Sequence, residues 1–463
     1  MPVWPGVRRR VPRAWPRASI SATSSTIPPP MKVLSTAVVW LLCLAAPLAA
    51  QPQTPPAPAA AISKFDRGVS LSMLAAVKSD LKEHYYDPAF HGIDIDAAFA
   101  DAEQRIKAAT TVNETVGIIA ELLIRLDDSH TNFFPPDRKT RVIYGWSAAM
   151  IGDEPYVVSV KAGSDAAKKG LERGDRILAW NRFQPTRRNL WQIEYLYHVI
   201  RPQAMQRIIV RKPDGREQAI DVESKLEARD TEVRDLMADY WKQQWNARDE
   251  DAAVGDITVW KCRVFDDPKN MERMIKVARR SKALVLDLRG NGGGRVDALE
   301  ELISRLFDRS VHLGVETTRK GSKPSDVKGR KDAFTGPLVV LVDSESGSAS
   351  EFAARVVQLE KRGAIVGDRT AGAVMTSSYF GHTIGIEPVT DFGTMITIAD
   401  VKMSDGASLE HVGVTPDEIV LPTAADLKAR RDPALARAIE KLGGTITPGQ
   451  AGRLFKDRDE AQR

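Results

Sequence analysis

Three short apolar runs punctuate the second half of the chain: Ala-Leu-Val-Leu-Asp-Leu at 283–288, Pro-Leu-Val-Val-Leu-Val at 337–342 and Ala-Ile-Val-Gly at 364–367. Between them the apolar positions change to helical spacing, Val296, Leu299, Ile303 and Leu306 in one interval, Phe352, Val356 and Leu359 in the next. Short buried strands alternating with amphipathic helices predict an α/β fold, a parallel sheet with helices on its faces. The runs end in Arg289-Gly290-Asn291-Gly292-Gly293-Gly294, in Asp343-Ser344-Glu345-Ser346-Gly347-Ser348-Ala349-Ser350-Glu351 and in Asp368-Arg369-Thr370-Ala371-Gly372-Ala373. Turns at strand ends are where such sheets carry their chemistry.

The first half reads differently. Over 62–128 the pattern is helical, with Leu71, Leu74, Val77 and Leu81 on one face and Ile118 and Leu122 on another, broken at Asp87-Pro88. From 141 to 224 an alternating strand at 156–160, glycine turns, a helical stretch at 190–199 and a strand at 207–211 predict a β-rich insertion. Residues 225–253 are charged with few apolar positions and predict a helical connector; 426–442 predict a terminal helix interrupted at Pro433, followed by a polar, frayed tail. The expected divisions are thus 1–50, a linker at 51–61, a helical domain at 62–140, the insertion at 141–224, the connector at 225–253, the core at 254–424 and a helix and tail at 425–463.

The leader changes the reading of charge. The first fifty residues hold six basic and no acidic residues, so the +5 of the whole chain becomes −1 over 51–463, which gives no basic surface for nucleic acid. From Met31 the chain runs Met-Lys, an apolar stretch at 33–48, then Ala49-Ala50-Gln51, the layout of an export signal. It is shorter than the roughly 20 residues of a membrane span. A periplasmic or secreted protein is expected, with an uncleaved anchor as the open alternative and no integral membrane partner. Residues 1–30 read as an extension upstream of the true start, with a transit peptide as the rival reading. Of two cysteines, Cys43 lies in the leader, so Cys262 has no intramolecular partner in a processed chain and is expected in the core.

Ser348 follows Gly347 at a strand-to-helix turn, where a hydroxyl stands exposed and the Ala349 amide points at a developing oxyanion. The plainer reading is a capping box, Ser348 with Glu351, and on those four residues alone it is favoured. Gly292 and Gly293 let backbone amides approach a reacting carbonyl, or simply make a tight connection. A serine nucleophile needs a base, and of the seven histidines His130, His382 and His411 remain open. A lone histidine beside a serine is more often a satisfied turn residue. No metal-ligand spacing and no phosphate-binding glycine pattern occurs, so neither metal nor cofactor is expected.

Four motifs taken together carry more: Asp128-Ser129-His130-Thr131, 287–294, Gly347-Ser348-Ala349-Ser350-Glu351 and 409–417 (Leu-Glu-His-Val-Gly-Val-Thr-Pro-Asp). Over 62–424 the chain resembles the C-terminal-processing (tail-specific) and tricorn-protease family of serine peptidases. The resemblance implies a crotonase/ClpP-like α/β core, an N-terminal helical domain and an inserted PDZ-like β-rich domain holding peptide ends near Tyr144, Gly145 and Trp146. Processing peptidases pair serine with a lysine in a Thr-x-Gly-Lys segment; here Ala373 fills that place and takes no proton. The tricorn branch uses a Ser-His-Ser-Glu tetrad, and Ser129-His130 and Glu410 match it. The resemblance then implies Ser348 as nucleophile, His130 as base, Ser129 and Glu410 as its orienting groups, and the amides of Gly292 or Gly293 and Ala349 as oxyanion hole. The expected function is an exported serine endopeptidase acting on unfolded or tail-exposed polypeptides, with oligomerisation open. The alternative is an inactive peptide- or hydrophobic-ligand-binding protein on the same scaffold.

Overall fold

Helices α1 (Lys64–His84), α2 (Ile95–Ala108) and α3 (Val112–Ile124) begin at Ser63, Asp94 and Thr111, whose side chains accept from the first turn. Their apolar faces close around Leu74, Val77, Leu81, Phe99, Ile106 and Ile119, and the same cluster takes in Phe392 and Ile396 from a strand of the core. The bundle is therefore not freestanding: part of its interior is lent by another layer. This computed structural model describes residues 61–138, 140–228, 249–385 and 389–455, all within one compact unit, Ala59–Arg463. The leader and most of the linker lie outside the described residues.

After the bundle the chain enters β1 (Asn132–Phe134) and β2 (Thr140–Ile143), then a five-stranded antiparallel sheet in simple meander order. Its strands are β3 (Trp146–Ile151), β4 (Glu154–Val160), β5 (Arg176–Trp180), β6 (Met205–Arg211) and β7 (Glu217–Glu223), with helices at Asp165–Lys168 and Leu190–Tyr195. Its core is Trp146, Val157, Ile177, Trp180, Ile208 and Val222. The expected helical connector is overturned at both described ends. Lys225–Ala228 is strand β8, paired antiparallel with β2, and Glu250–Val254 is strand β9, paired with the core. Residues 229–248 lie outside the described residues. A charged, apolar-poor stretch reads as a helix surface by composition, but here its ends are edge strands, whose outer faces are also solvated.

The core sheet has the order β18-β15-β14-β11-β10-β9. Strands β10 (Ile257–Lys261), β11 (Ala283–Asp287), β14 (Leu338–Val342), β15 (Ala364–Gly367) and β18 (Glu418–Ile419) are parallel and β9 is antiparallel. Every residue of β11 and β14 is buried, which explains their unbroken apolar runs. Helices at Pro268–Ala278, Val296–Leu306 and Ala349–Leu359 cover one face; Pro433–Lys441, with Pro433 at its first turn, covers the other through Leu435 and Ile439. The tail is packed further than expected, Ala451 being buried. A second sheet runs β1-β17-β12-β13, with β12 at Val311–Thr318, β13 at Gly321–Val327 and β16 (Thr376–Ile384) paired on β17 (Thr390–Met403), and links the bundle to the core. Strand β1 pairs with β17 from Asn132, two residues after His130. That pairing brings the bundle's last turn to the edge of the core.

Candidate active site

Loops from the ends of β11, β14 and β15 meet at Ser348. The Gly347 amide donates to the Asn291 carbonyl (3.0 Å), the Ser346 hydroxyl to the Leu288 carbonyl (2.8 Å) and the Ser348 amide to the Ala373 carbonyl (2.7 Å). Ser348 is held at φ +51°, a conformation costly for a residue with a side chain, and such strain survives only where the surroundings over-determine it. Gly293 explains part of the tolerance: a Cβ there would lie 2.6 Å from the Ser348 Cβ.

Glu351 is the clamp of this half. It is fully buried and accepts from the Ser348 amide (3.2 Å), the Ala373 amide (2.8 Å), the Gly372 amide (2.8 Å) and the Thr370 hydroxyl (2.5 Å). Burial pushes its carboxyl up to about 7 although those four donors pull the other way. Glu351 reaches back to the Ser348 amide as in a capping box, while the half-buried Ser348 hydroxyl makes no cap hydrogen bond and stays available to His130.

His130 comes from the turn between the bundle and β1. Its Nε2 lies 3.3 Å from Ser348 Oγ and its Nδ1 2.7 Å from Ser129 Oγ. The Ser129 hydroxyl donates to Glu410 Oε2 at 3.0 Å, and the Ser129 and Val374 amides donate to the same carboxylate, each at 2.8 Å. A carboxylate only accepts, so the single Ser129 proton goes to Glu410 and the Ser129 oxygen is left to accept from His130 Nδ1–H. That tautomer turns the Nε2 lone pair toward Ser348. Burial pushes the imidazole down to about 4, opposed by the charge of Asp128, and burial raises the Glu410 carboxyl. The segment bearing Glu410 lies against the third loop: the His411 amide donates to the Gly372 carbonyl (2.8 Å) and the Val414 amide to Thr370 Oγ1 (2.6 Å).

The structure brings together Ser348, His130, Ser129 and Glu410; of the other two candidate histidines, His411 lies beside Glu410 (3.8 Å), and neither is bonded to Ser348. His382 bonds Asp80 (2.7 Å) and His411 bonds the Asp127 carbonyl (2.8 Å). Of the glycine amides, Gly293 N–H is already donated to Asn291 Oδ1 (2.8 Å), which removes it as an oxyanion donor. The amides of Gly292 and Ala349 have no acceptor among the described residues. Tyr144 and Trp146 do not present side chains to a peptide. The Tyr144 hydroxyl accepts from the Gln203 amide (2.8 Å), and the Trp146 ring packs 4.7 Å from that of Trp180. Gly145, at φ +73°, closes against Ser164.

Asp128 is a residue whose weight the sequence did not convey. Buried, it accepts from the amides of His130 (3.0 Å) and Thr131 (2.7 Å) and from the hydroxyls of Thr131 (3.0 Å), Tyr85 (2.8 Å) and Thr397 (2.8 Å). In sequence it stands only as the first residue of the motif Asp128-Ser129-His130-Thr131; Tyr85 and Thr397, from distant segments, carry no signal. A cleft of about 660 Å³ opens over the site, lined by Ser129, His130, Ser348 and Ala349 and floored by Leu299, Phe352 and Met375. Lys323, which lines it, is paired with Glu316 at 2.9 Å.

A hydroxyl at a helix start, an imidazole in reach and two unpaired amides beside them define a site of the serine-hydrolase class. Residues 253–420 match the family model described as peptidase family S41. Among curated proteins, the carboxyl-terminal-processing protease of Synechocystis sp. is 30% identical over 165 residues, 35% of this chain and 37% of that protein. The tricorn protease of Thermoplasma volcanium is 27% identical over 165 residues, 34% of this chain and 14% of that protein. The match thus spans well under half the length of either relative. Among solved structures, mature CPAF complexed with lactacystin has the same fold over 79% of this chain and 96% of its own, with a TM-score of 0.59 at 15% identity. Over residues 253–420 this chain is therefore similar to peptidase family S41, and the curated relatives that it matches are named as proteases.

Proposed function

We propose that the protein is a serine endopeptidase that cleaves unfolded or tail-exposed polypeptides, with Ser348 as nucleophile and His130 as its base. The observation that carries this is the unbroken chain of hydrogen-bond distances from Ser348 through His130 and Ser129 to Glu410. In this reading Ser348 Oγ attacks the carbonyl carbon as its proton passes to Nε2. The resulting imidazolium donates through Nδ1 to Ser129, polarised by Glu410, and returns the proton to the leaving amine. The Gly292 and Ala349 amides receive the oxyanion. Ala373 removes the lysine of a Ser-Lys dyad, and the one lysine lining the described cleft is tied to Glu316.

The β-rich insertion serves as a PDZ-like peptide holder through backbone rather than side chains. Strand β3 is the edge of its sheet, the position at which a peptide would add as a strand. The far end of that strand is tied to two of the core loops: the Ser344 hydroxyl donates to the Met150 carbonyl (2.7 Å) and the Gly152 amide to Asp368 (2.8 Å). Export by the 31–50 leader completes the proposal. The test is cleavage of casein and labelled peptides by the protein from Gln51, beside Ser348→Ala and His130→Ala. Loss in both variants is expected; casein degradation by Ser348→Ala sinks the assignment.

A further inference from the structure

The cleft over Ser348 is apolar on its floor and acidic on one wall. Leu299, Leu313, Phe352, Met375, Met395 and Val401 form the floor, two of them adaptable methionines suited to a large apolar side chain. Glu300, Glu316 and Asp326 line the wall together with Lys323. Two of these acids are partnered inside the protein, Glu316 with Lys323 (2.9 Å) and Asp326 with His312 (2.8 Å). The side chain of Glu300, next to Leu299 on the helix Val296–Leu306, has neither a hydrogen bond nor an ion pair among the described residues. Partial burial, with the charges of Asp297 and Glu316, holds its carboxyl above the ordinary value, and the charge of Lys323 offsets this in part. A carboxylate that lines a cleft without a direct partner, its nearest cation being tied to Glu316, is relieved by a ligand that brings a cation.

Granted the peptidase reading above, we propose that Glu300 is a specificity-determining residue, selecting polypeptides with a lysine or arginine beside the large apolar residue that fills the floor. The aliphatic stem of the basic side chain would lie along the apolar floor while its head group pairs with the Glu300 carboxylate.

The test uses matched peptides with a leucine anchor flanked on either side by lysine, glutamine or glutamate. In the parent, kcat/KM is expected in the order lysine, glutamine, glutamate. The lysine-to-glutamine ratio should be about fivefold at low ionic strength, the scale of a partly exposed ion pair, and should shrink at about 0.5 M salt. Glu300→Gln should bring that ratio to about one, Glu300→Lys should invert the order, and Lys323→Gln, which frees Glu316, should widen it. Cleavage blind to flanking charge in the parent, or a ratio unchanged by Glu300→Gln, overturns the role of Glu300 alone. A parent that cleaves no peptide overturns the peptidase reading and this inference with it.

Discussion

Ser348 and His130 stand 3.3 Å apart, yet they arrive by different routes. Ser348 is built locally. Three successive loops of one parallel sheet hold it, and the buried Glu351, three residues along the same helix, ties it to the third loop. His130 is imported. Its turn hangs from Asp128, whose partners Tyr85 and Thr397 come from the helical bundle and from the second sheet. The nucleophile therefore survives as long as the sheet does, whereas the base depends on two layers staying docked. A site assembled this way can lose its base by a local opening that leaves its nucleophile in place.

The largest expected effect falls on the nucleophile's half. Glu351→Ala leaves two loop amides and the Thr370 hydroxyl without their acceptor and frees the strained Ser348 turn. The expected loss is roughly 10³-fold in kcat, with destabilisation of roughly 3 kcal/mol, read from single-turnover kinetics and thermal melting. Near-parental kcat in a folded Glu351→Ala protein breaks the comparison. On the base's half, Asp128→Ala should lower kcat about 10²-fold and speed hydrogen exchange around 127–133 more than around 343–351. Equal acceleration in both segments would mean that the two halves open together.

Acid titration separates the halves without mutation. His130 is held at about 4, below its ordinary value, so the fold favours the neutral base, which protonates only when pH falls that far. Glu351 is held at about 7, above its ordinary 4.5, so its contribution to stability is present in acid and lost as pH rises from about 4.5 to about 7. Only its carboxylate can accept from all four donors. Activity should therefore rise about tenfold per unit on the acid side of a limb near 7, while stability declines over the same window. In Glu351→Gln both changes should vanish, leaving a limb near 4 that belongs to His130. A limb near 7 that persists in Glu351→Gln would assign it elsewhere. The smallest effect is expected for Tyr85→Phe, which removes one of five donors to Asp128: about two- to threefold in kcat, with KM held.

Periodicity and turn chemistry read the parallel core well, because buried strands of such a sheet are apolar throughout and their loops carry glycine and serine at fixed offsets. They read Lys225–Ala228 and Glu250–Val254 wrongly, because a solvated edge strand and a solvated helix have the same composition. The glycine pair 292–293 looked interchangeable in sequence; the Asn291 side chain, which takes the Gly293 amide, tells them apart. Tyr144 and Trp146 were legible as aromatic residues beside a glycine but not as core residues, since the side to which a strand turns depends on what is packed beneath it.

By itself the sequence determined the alternation of strands and helices, the strand-to-helix turn at Ser348, the absence of a lysine at Ala373 and, by resemblance, which histidine to watch. Only the tertiary structure decided that Ser129, His130, Ser348 and Glu410 share one line of hydrogen-bond distances, although 281 residues separate Ser129 from Glu410. The reason is physical: spacing along a chain fixes local geometry, but contact between distant segments is set by which layers bury each other. Here it was the pairing of β1 with β17, and the sharing of Phe392 and Ile396 with the bundle, that carried the imidazole to the hydroxyl.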